Sequence, residues 1–117
     1  MILLAIMKNT SLFINWVGDS APARVLDYIL TERELEFSKA DCLRHIPVSR
    51  ASLYKIWKRL IKIEMLLFSR NIGNVQLYKL NKANPVVKKL IEIDDLLIIQ
   101  DLEKRAKKKT VHVVSLH

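Results

Sequence analysis

Arg50, Lys55, Lys58, Arg59 and Lys62 fall within the stretch SRASLYKIWKRLIK, Ser49 to Lys62, and no acidic residue stands among them. Cations in that pattern suit the holding of an anion rather than catalysis. Leu53, Ile56, Trp57, Leu60 and Ile61 recur at the i, i+3, i+4, i+7, i+8 spacing of an apolar helical stripe. At roughly 100° per residue, Ala51, Lys55, Lys58 and Lys62 lie on the opposite side, with Tyr54 and Arg59 at its edges. Arg50 occupies the first turn, beside Ser49, a good N-cap. A helix face that only meets water usually mixes signs and gains i,i+4 pairs. A face of one sign is better explained by an anionic partner.

Other constellations are thin. Cys42 and His45 are spaced like half a zinc site, but no second pair follows, and His112 and His117 sit in the tail. With only Gly18 and Gly73 there is no glycine-rich phosphate loop. Asp94-Asp95 reads as a solvated helix face rather than a carboxylate dyad. Ser, His and Asp occur, but no motif places them together. No catalysis and no cofactor are expected.

Composition narrows the partner. The chain has 117 residues, half of them hydrophobic, and a net charge of +8. One domain with an appendage, and a real core, are expected. The charge is uneven: residues 1–48 hold five basic and six acidic residues, residues 49–82 eight basic and one acidic, residues 83–117 seven and five. Such clustering is the footprint of a nucleic-acid binder. The single cysteine forms no intrachain disulfide and fits a reducing, cytoplasmic setting. The opening MILLAIM is too short to span a bilayer and lacks the features of a signal peptide, so no membrane partner is expected.

The elements that position the basic face follow in chain order. Residues 1–18 form an apolar extension whose Phe13, Ile14, Trp16 and Val17 need cover, as a strand or short helix. Ser20 caps a first helix with Pro22 in its first turn and a stripe of Val25, Leu26, Ile29 and Leu30. Leu35 and Phe37 alternate with Glu34 and Glu36, which allows a short strand. Ser38 opens a second helix with Asp41 completing a capping box and Ala40, Cys42 and Leu43 inward; Pro47 ends it. With Ser49 to about Ile63 this makes a helix-turn-helix. Strands on either side of Gly73-Asn74 form a hairpin whose tip carries Arg70, Asn71, Asn74 and Gln76. Asn84-Pro85 starts a last helix of over twenty residues, with Val86, Leu90, Ile93 and Leu97 as a heptad seam and Val87, Ile91, Ile98, Ile99 and Leu102 widening it. The tail, TVHVVSLH, reads as a strand or a frayed end.

This order resembles the winged helix-turn-helix family of prokaryotic transcription regulators, in the MarR-like and ArsR-like group. VSRASLYKIWKRLIK is similar to its turn and recognition helix, and RNIGNVQLYKLNKANPVVKKLI to the wing and following helix of small archaeal members. The resemblance covers residues 20–105. It implies that Ser49, Arg50, Ala51, Ser52, Lys55 and Lys58 occupy base- and phosphate-contacting positions, and that Arg70, Asn71 and Asn74 approach the flanking backbone or minor groove. Where the family usually leaves the recognition helix through Gly, this chain has Glu64 and Met65, so a different helix exit is expected. The thiolate-rich motif of metal-sensing relatives is absent from Ser49–Lys62.

The resulting expectation is a mainly α fold with a small β-hairpin: a winged helix-turn-helix with a long C-terminal dimerisation helix. Its parts are an apolar extension (1–18), a DNA-binding domain (19–83), a dimerisation helix (84–109) and a tail (110–117). The protein would be a cytoplasmic, homodimeric regulator on an inverted repeat of double-stranded DNA. Arg50 and Lys55 are candidates for guanine O6/N7, and Ser52 for an adaptable contact. Lys58, Arg59 and Lys62 would bind phosphate, and Tyr54 completes the face. The dimer would be held by Val86, Leu90, Ile93, Leu97 and Ile98. The rival is a winged-helix protein–protein module in a larger assembly, its basic face meeting an acidic partner.

Overall fold

A computed structural model describes the backbone of residues 11–115 and the side chains of residues 11–107. The opening MILLAIM stretch and the side chains of His112 and His117 lie outside that range. Polar caps set the first four helices of the described residues. Ser11 accepts the Ile14 amide at 3.0 Å and starts α1 (Leu12–Val17). Ser20 accepts the Ala23 amide at 3.2 Å and starts α2 (Ala21–Thr31). Ser38 and Asp41 form the capping box of α3 (Lys39–His45), and Ser49 accepts the Ser52 amide at 3.1 Å to start α4 (Arg50–Lys62). Each cap satisfies an amide that the helix itself leaves unpaired.

β1 (Leu66–Ile72) and β2 (Val75–Leu80) pair antiparallel, from Leu66 opposite Leu80 to Ile72 opposite Val75. Gly73 alone at the tip takes a positive φ, +60°, the pattern of a tight turn with glycine first. The strand expected around Leu35–Phe37 shrinks to one bridge, Phe37 to Tyr78, with Leu35 exposed. α5 (Pro85–Ser115) begins with Asn84 Oδ1 accepting the Val86 amide at 2.8 Å. It continues as far as Ser115, into the stretch expected to be a strand or to fray.

This is a winged helix-turn-helix: α3, turn and α4, then the β1–β2 wing, then the long helix. Its core gathers Val25, Ile29 and Leu30 of α2, Phe37, Cys42 of α3, Leu53 and Trp57 of α4, Leu66 and Val87. Burying each large side chain contributes roughly 1.5–3 kcal/mol. Four expected inward positions are not inward. Trp16 and Val17 are 59% and 45% exposed, Ile61 is 40% exposed, and Ala40 is exposed because the short α3 turns only Cys42 and Leu43 to the core.

The seam expected along α5 is divided between two directions. Val87 is fully buried, and Leu90 and Ile91 pack on the same core, while Val86 is 57% exposed. Ile93 and Leu97 are half-buried, and Ile98 is 39% exposed. Beyond Ile91 the core-facing position is taken by Asp94, whose side chain is largely buried and faces Arg33, while the Arg33 guanidinium also donates to Asp95 at 2.8 Å. The pair expected to be a solvated face is therefore a tie between α5 and the connection after α2. Burial pushes the Asp94 carboxyl above its ordinary range. The 31 residues of α5 extend over about 46 Å. The molecule is 62 Å long with a radius of gyration of 17.1 Å, against about 13 Å for a compact chain of this length. No described helix is long and apolar enough to cross a membrane.

Candidate nucleic-acid interface

The orientation of α4 is set by its aromatic anchor. Trp57 is 1% exposed and meets Phe37 and Tyr78 edge-on, with ring centroids 5.9 and 5.3 Å away. Rotation of α4 about its axis would pull Trp57 out of this three-ring cluster. The opposite side is thereby held outward. Ser49, Arg50, Ala51, Tyr54, Lys55, Lys58, Arg59 and Lys62 are all exposed there, and Ser52 is half-exposed. Lys55, Lys58, Arg59 and Lys62 form no ion pair among the described residues, and Arg50 Nη1 donates only to the Tyr54 hydroxyl, at 3.2 Å.

The exit from α4 follows the usual route in spite of its residues. Glu64 takes a positive φ of +61°, in the left-handed region that favours Gly. The Met65 amide donates to the Leu60 carbonyl and the Glu64 amide to that of Ile61, a Schellman closure with Met65 and Leu60 both buried. The left-handed conformation costs roughly 1–2 kcal/mol in a residue with a Cβ. Two amides offset it: Asn81 Nδ2 donates to the Glu64 carbonyl at 2.8 Å, and Asn84 Nδ2 to the same carbonyl at 3.0 Å and to that of Ile63 at 3.2 Å. The different exit expected from the absence of Gly is not what forms.

The wing does not leave its arginine free. Register shifts between Phe68 and Arg70, so Ser69 has no partner across the strand pair. Ser69 Oγ and the Arg70 guanidinium both donate to the Glu36 carboxylate; Arg70 Nη2 and Nε lie 3.0 and 3.1 Å from Oε1. Those hydrogen bonds, the Ser69 hydroxyl first and then Arg70, hold the Glu36 carboxyl below its ordinary range. Arg70 thus ties the wing to the residue before the Phe37 bridge. Asn71, Asn74 and Gln76 remain exposed near the tip, beside exposed Ile72 and Val75.

A groove of about 460 Å³ separates the start of α3 and the Tyr54 edge of α4 from the wing tip. Lys39 stands in it with Nζ 4.7 Å from the Tyr54 ring centroid and 6.0 Å from that of Tyr78. Nothing in the sequence pattern singles Lys39 out, because it precedes the basic segment and its aromatic neighbours are distant in the chain. Cys42, by contrast, is fully buried, and burial pushes its thiol up to about 12. His45 Nδ1 lies 2.7 Å from the Asp41 carbonyl and its ring stacks on Tyr28. No three potential metal ligands converge among the described residues.

No protein-family model matches the sequence, and no curated protein matches it. Solved structures do resemble it. The crystal structure of C-terminally His-tagged adhesin competence repressor (AdcR) from Streptococcus pyogenes covers 97% of this chain over 81% of its own, at a TM-score of 0.55 and 15% identity. A second AdcR structure from the same organism covers 97% of this chain over 89% of its own, at a TM-score of 0.49 and 18% identity. The first likeness supports the winged-helix architecture already described.

Proposed function

We propose that this chain is a homodimeric, cytoplasmic transcription regulator that binds double-stranded DNA sequence-specifically, with α4 in the major groove and the wing on the flanking backbone or minor groove. The observation that carries this reading is the α4 surface: five exposed basic side chains on a rigidly anchored helix, none paired with a carboxylate among the described residues. Arg50 and Lys55 are the base-reading candidates, with Ser52 adaptable, and Lys58, Arg59 and Lys62 meet phosphate. AdcR is by its description a repressor, and a chain sharing its fold is suited to the same kind of work.

The dimer is argued from the outer part of α5. Leu96, Ile99 and Leu102, three residues apart on one side of the helix, are 55%, 48% and 52% exposed. α1 packs against α5 and adds exposed Trp16 and Val17. Cover by a second copy would remove this apolar surface from water. It would also present two α4 helices to half-sites about 10 bp apart, or a multiple of that. Of the interface residues read from the sequence, Val86, Ile93, Leu97 and Ile98 stay available, while Leu90 belongs to the core.

The test is selection of bound sequences from random duplex DNA at physiological salt, with sedimentation of the protein alone. An inverted repeat, a log–log salt slope near −5 to −7 for six to eight phosphates, and a dimeric mass are expected. Leu96→Glu with Ile99→Glu should give a folded monomer that binds specific DNA far more weakly. A flat salt response would instead favour a protein-interaction module, and a monomer with full affinity for a half-site would remove the dimer.

A further inference from the structure

We propose that the groove between α3, α4 and the wing seats one backbone phosphate of the bound duplex, with Lys39 as its cation. The proposal rests on the reading of this face as a DNA interface and adds a contact outside the α4 helix and the wing. Three features of the groove point to an anion. Its cation is uncompensated: Lys39 forms no ion pair among the described residues. The two acids near it in sequence are engaged elsewhere, Glu36 by Ser69 and Arg70, Asp41 by the Ser38 amide and Arg44.

The cation is also placed. A lysine is an ammonium point charge on a flexible stem. Here Nζ rests between the faces of Tyr54 and Tyr78, whose ring quadrupoles attract it. Tyr78 is buried and Tyr54 belongs to α4, so the ammonium is registered to the helix that carries Arg50.

The remaining lining is biased toward donors. No carboxylate lines the groove. The Tyr78 hydroxyl donates to Gln76 Oε1 at 3.2 Å, which leaves the Gln76 NH2 group available as a donor. The Tyr54 hydroxyl accepts from Arg50, so its own O–H is free to donate. Asn71 and Asn74 supply further amides from the wing. An ammonium, a phenol and several amides around a shallow groove match a singly charged phosphodiester, and the adjacent Arg50 places that phosphodiester beside the bases α4 would read.

The experiment compares wild type with Lys39→Ala and Lys39→Arg on the selected duplex across a salt series. Loss of one phosphate contact should weaken Lys39→Ala about five-fold at 0.15 M salt and make its slope shallower by about one. Lys39→Arg should recover most of the loss. Duplexes carrying a single neutral methylphosphonate at each position in turn should reveal one position that costs wild type the same factor and costs Lys39→Ala nothing. A Lys39→Ala protein matching wild type in affinity and slope would overturn the phosphate seat while leaving α4 readout intact. A wild type that binds no duplex would overturn the reading of the whole face, and this seat with it. Inorganic phosphate shifting the groove resonances in wild type but not in Lys39→Ala, with duplex binding unaffected by the substitution, would assign the groove to a free anion and overturn the duplex proposal.

Discussion

α4 and the wing are joined by only three residues, and both present polar side chains to solvent, yet their charges are in different states. On α4 the cations have no carboxylate partners among the described residues. On the wing Arg70 is held by Glu36, and Lys82, just beyond β2, pairs with Glu34 at 2.5 Å. Two of the eight basic residues in 49–82 are thus neutralised by acids that precede the segment, and Lys39, also from outside it, stands free of them. Charge clustered along a sequence is therefore an upper bound on charge available to a partner. The tertiary fold decides how much of it is already spoken for.

The largest effect that this contrast predicts lies on α4. Arg50→Ala should cost roughly 1–3 kcal/mol on the cognate site and relax sequence preference. Lys62→Ala, near the other end of the helix, should weaken all sequences about equally and make the salt slope shallower by about one. Binding measured on cognate and scrambled duplexes separates the two. If both substitutions weaken every sequence alike, base readout does not belong to Arg50.

A smaller effect is expected on the wing, and in the opposite direction. Glu36→Gln releases Arg70 and removes a negative charge near the duplex. At pH 7 it should tighten DNA binding about five-fold at 0.15 M salt and steepen the slope by about one. Arg70→Ala, which removes a cation already engaged, should change affinity little. The Glu36 carboxyl is held below its ordinary range. A depressed carboxyl contributes its tie fully above the unfolded value and loses it only as pH falls through the lowered folded value. The Glu36→Gln difference should accordingly be constant from pH 6 to pH 8. Weaker binding by Glu36→Gln would mean that anchoring the wing matters more than freeing its arginine.

Legibility divides along the same line. Ser20, Ser38 with Asp41, Ser49 and Asn84 mark their helices because a cap acts on amides two or three residues away, within reach of local pattern. Leu53, Ile56, Trp57 and Leu60 mark the inward side of α4 because one core covers it. The Glu36 tie was not legible: it depends on a strand irregularity at Ser69 and on a single bridge that brings residues 36 and 70 together. α5 misled for another reason. Its apolar residues serve two surfaces, and a heptad drawn through Val86, Leu90, Ile93 and Leu97 runs across the boundary that separates Leu90 on the core from Val86 in solvent. Lys39 shows the limit of counting charge by segment, since its surroundings come from α4 and β2.

The smallest effect on binding is expected at the junction between the two regions. Glu64 carries the reversal from α4 into β1 in a conformation that suits Gly, and its carbonyl is gripped by Asn81 and Asn84. If those amides and the Schellman closure fix the angle between helix and wing, the side chain of residue 64 only adds strain. Glu64→Gly should then remove that strain and stabilise the fold by about 1 kcal/mol, offset in part by the greater freedom of Gly in the unfolded chain. For a domain of this size the full amount corresponds to a Tm rise of about 4 °C, readable by calorimetry. DNA affinity and salt slope should stay at wild-type values, because neither the α4 cations nor the Glu36 tie moves. Asn84→Ala provides the contrast: it leaves the Ile63 carbonyl without its side-chain donor and also removes the cap of α5, so it should lower Tm. A Glu64→Gly protein with a lower Tm, or with altered DNA binding at unchanged Tm, would show that residue 64 itself sets how the wing stands against α4.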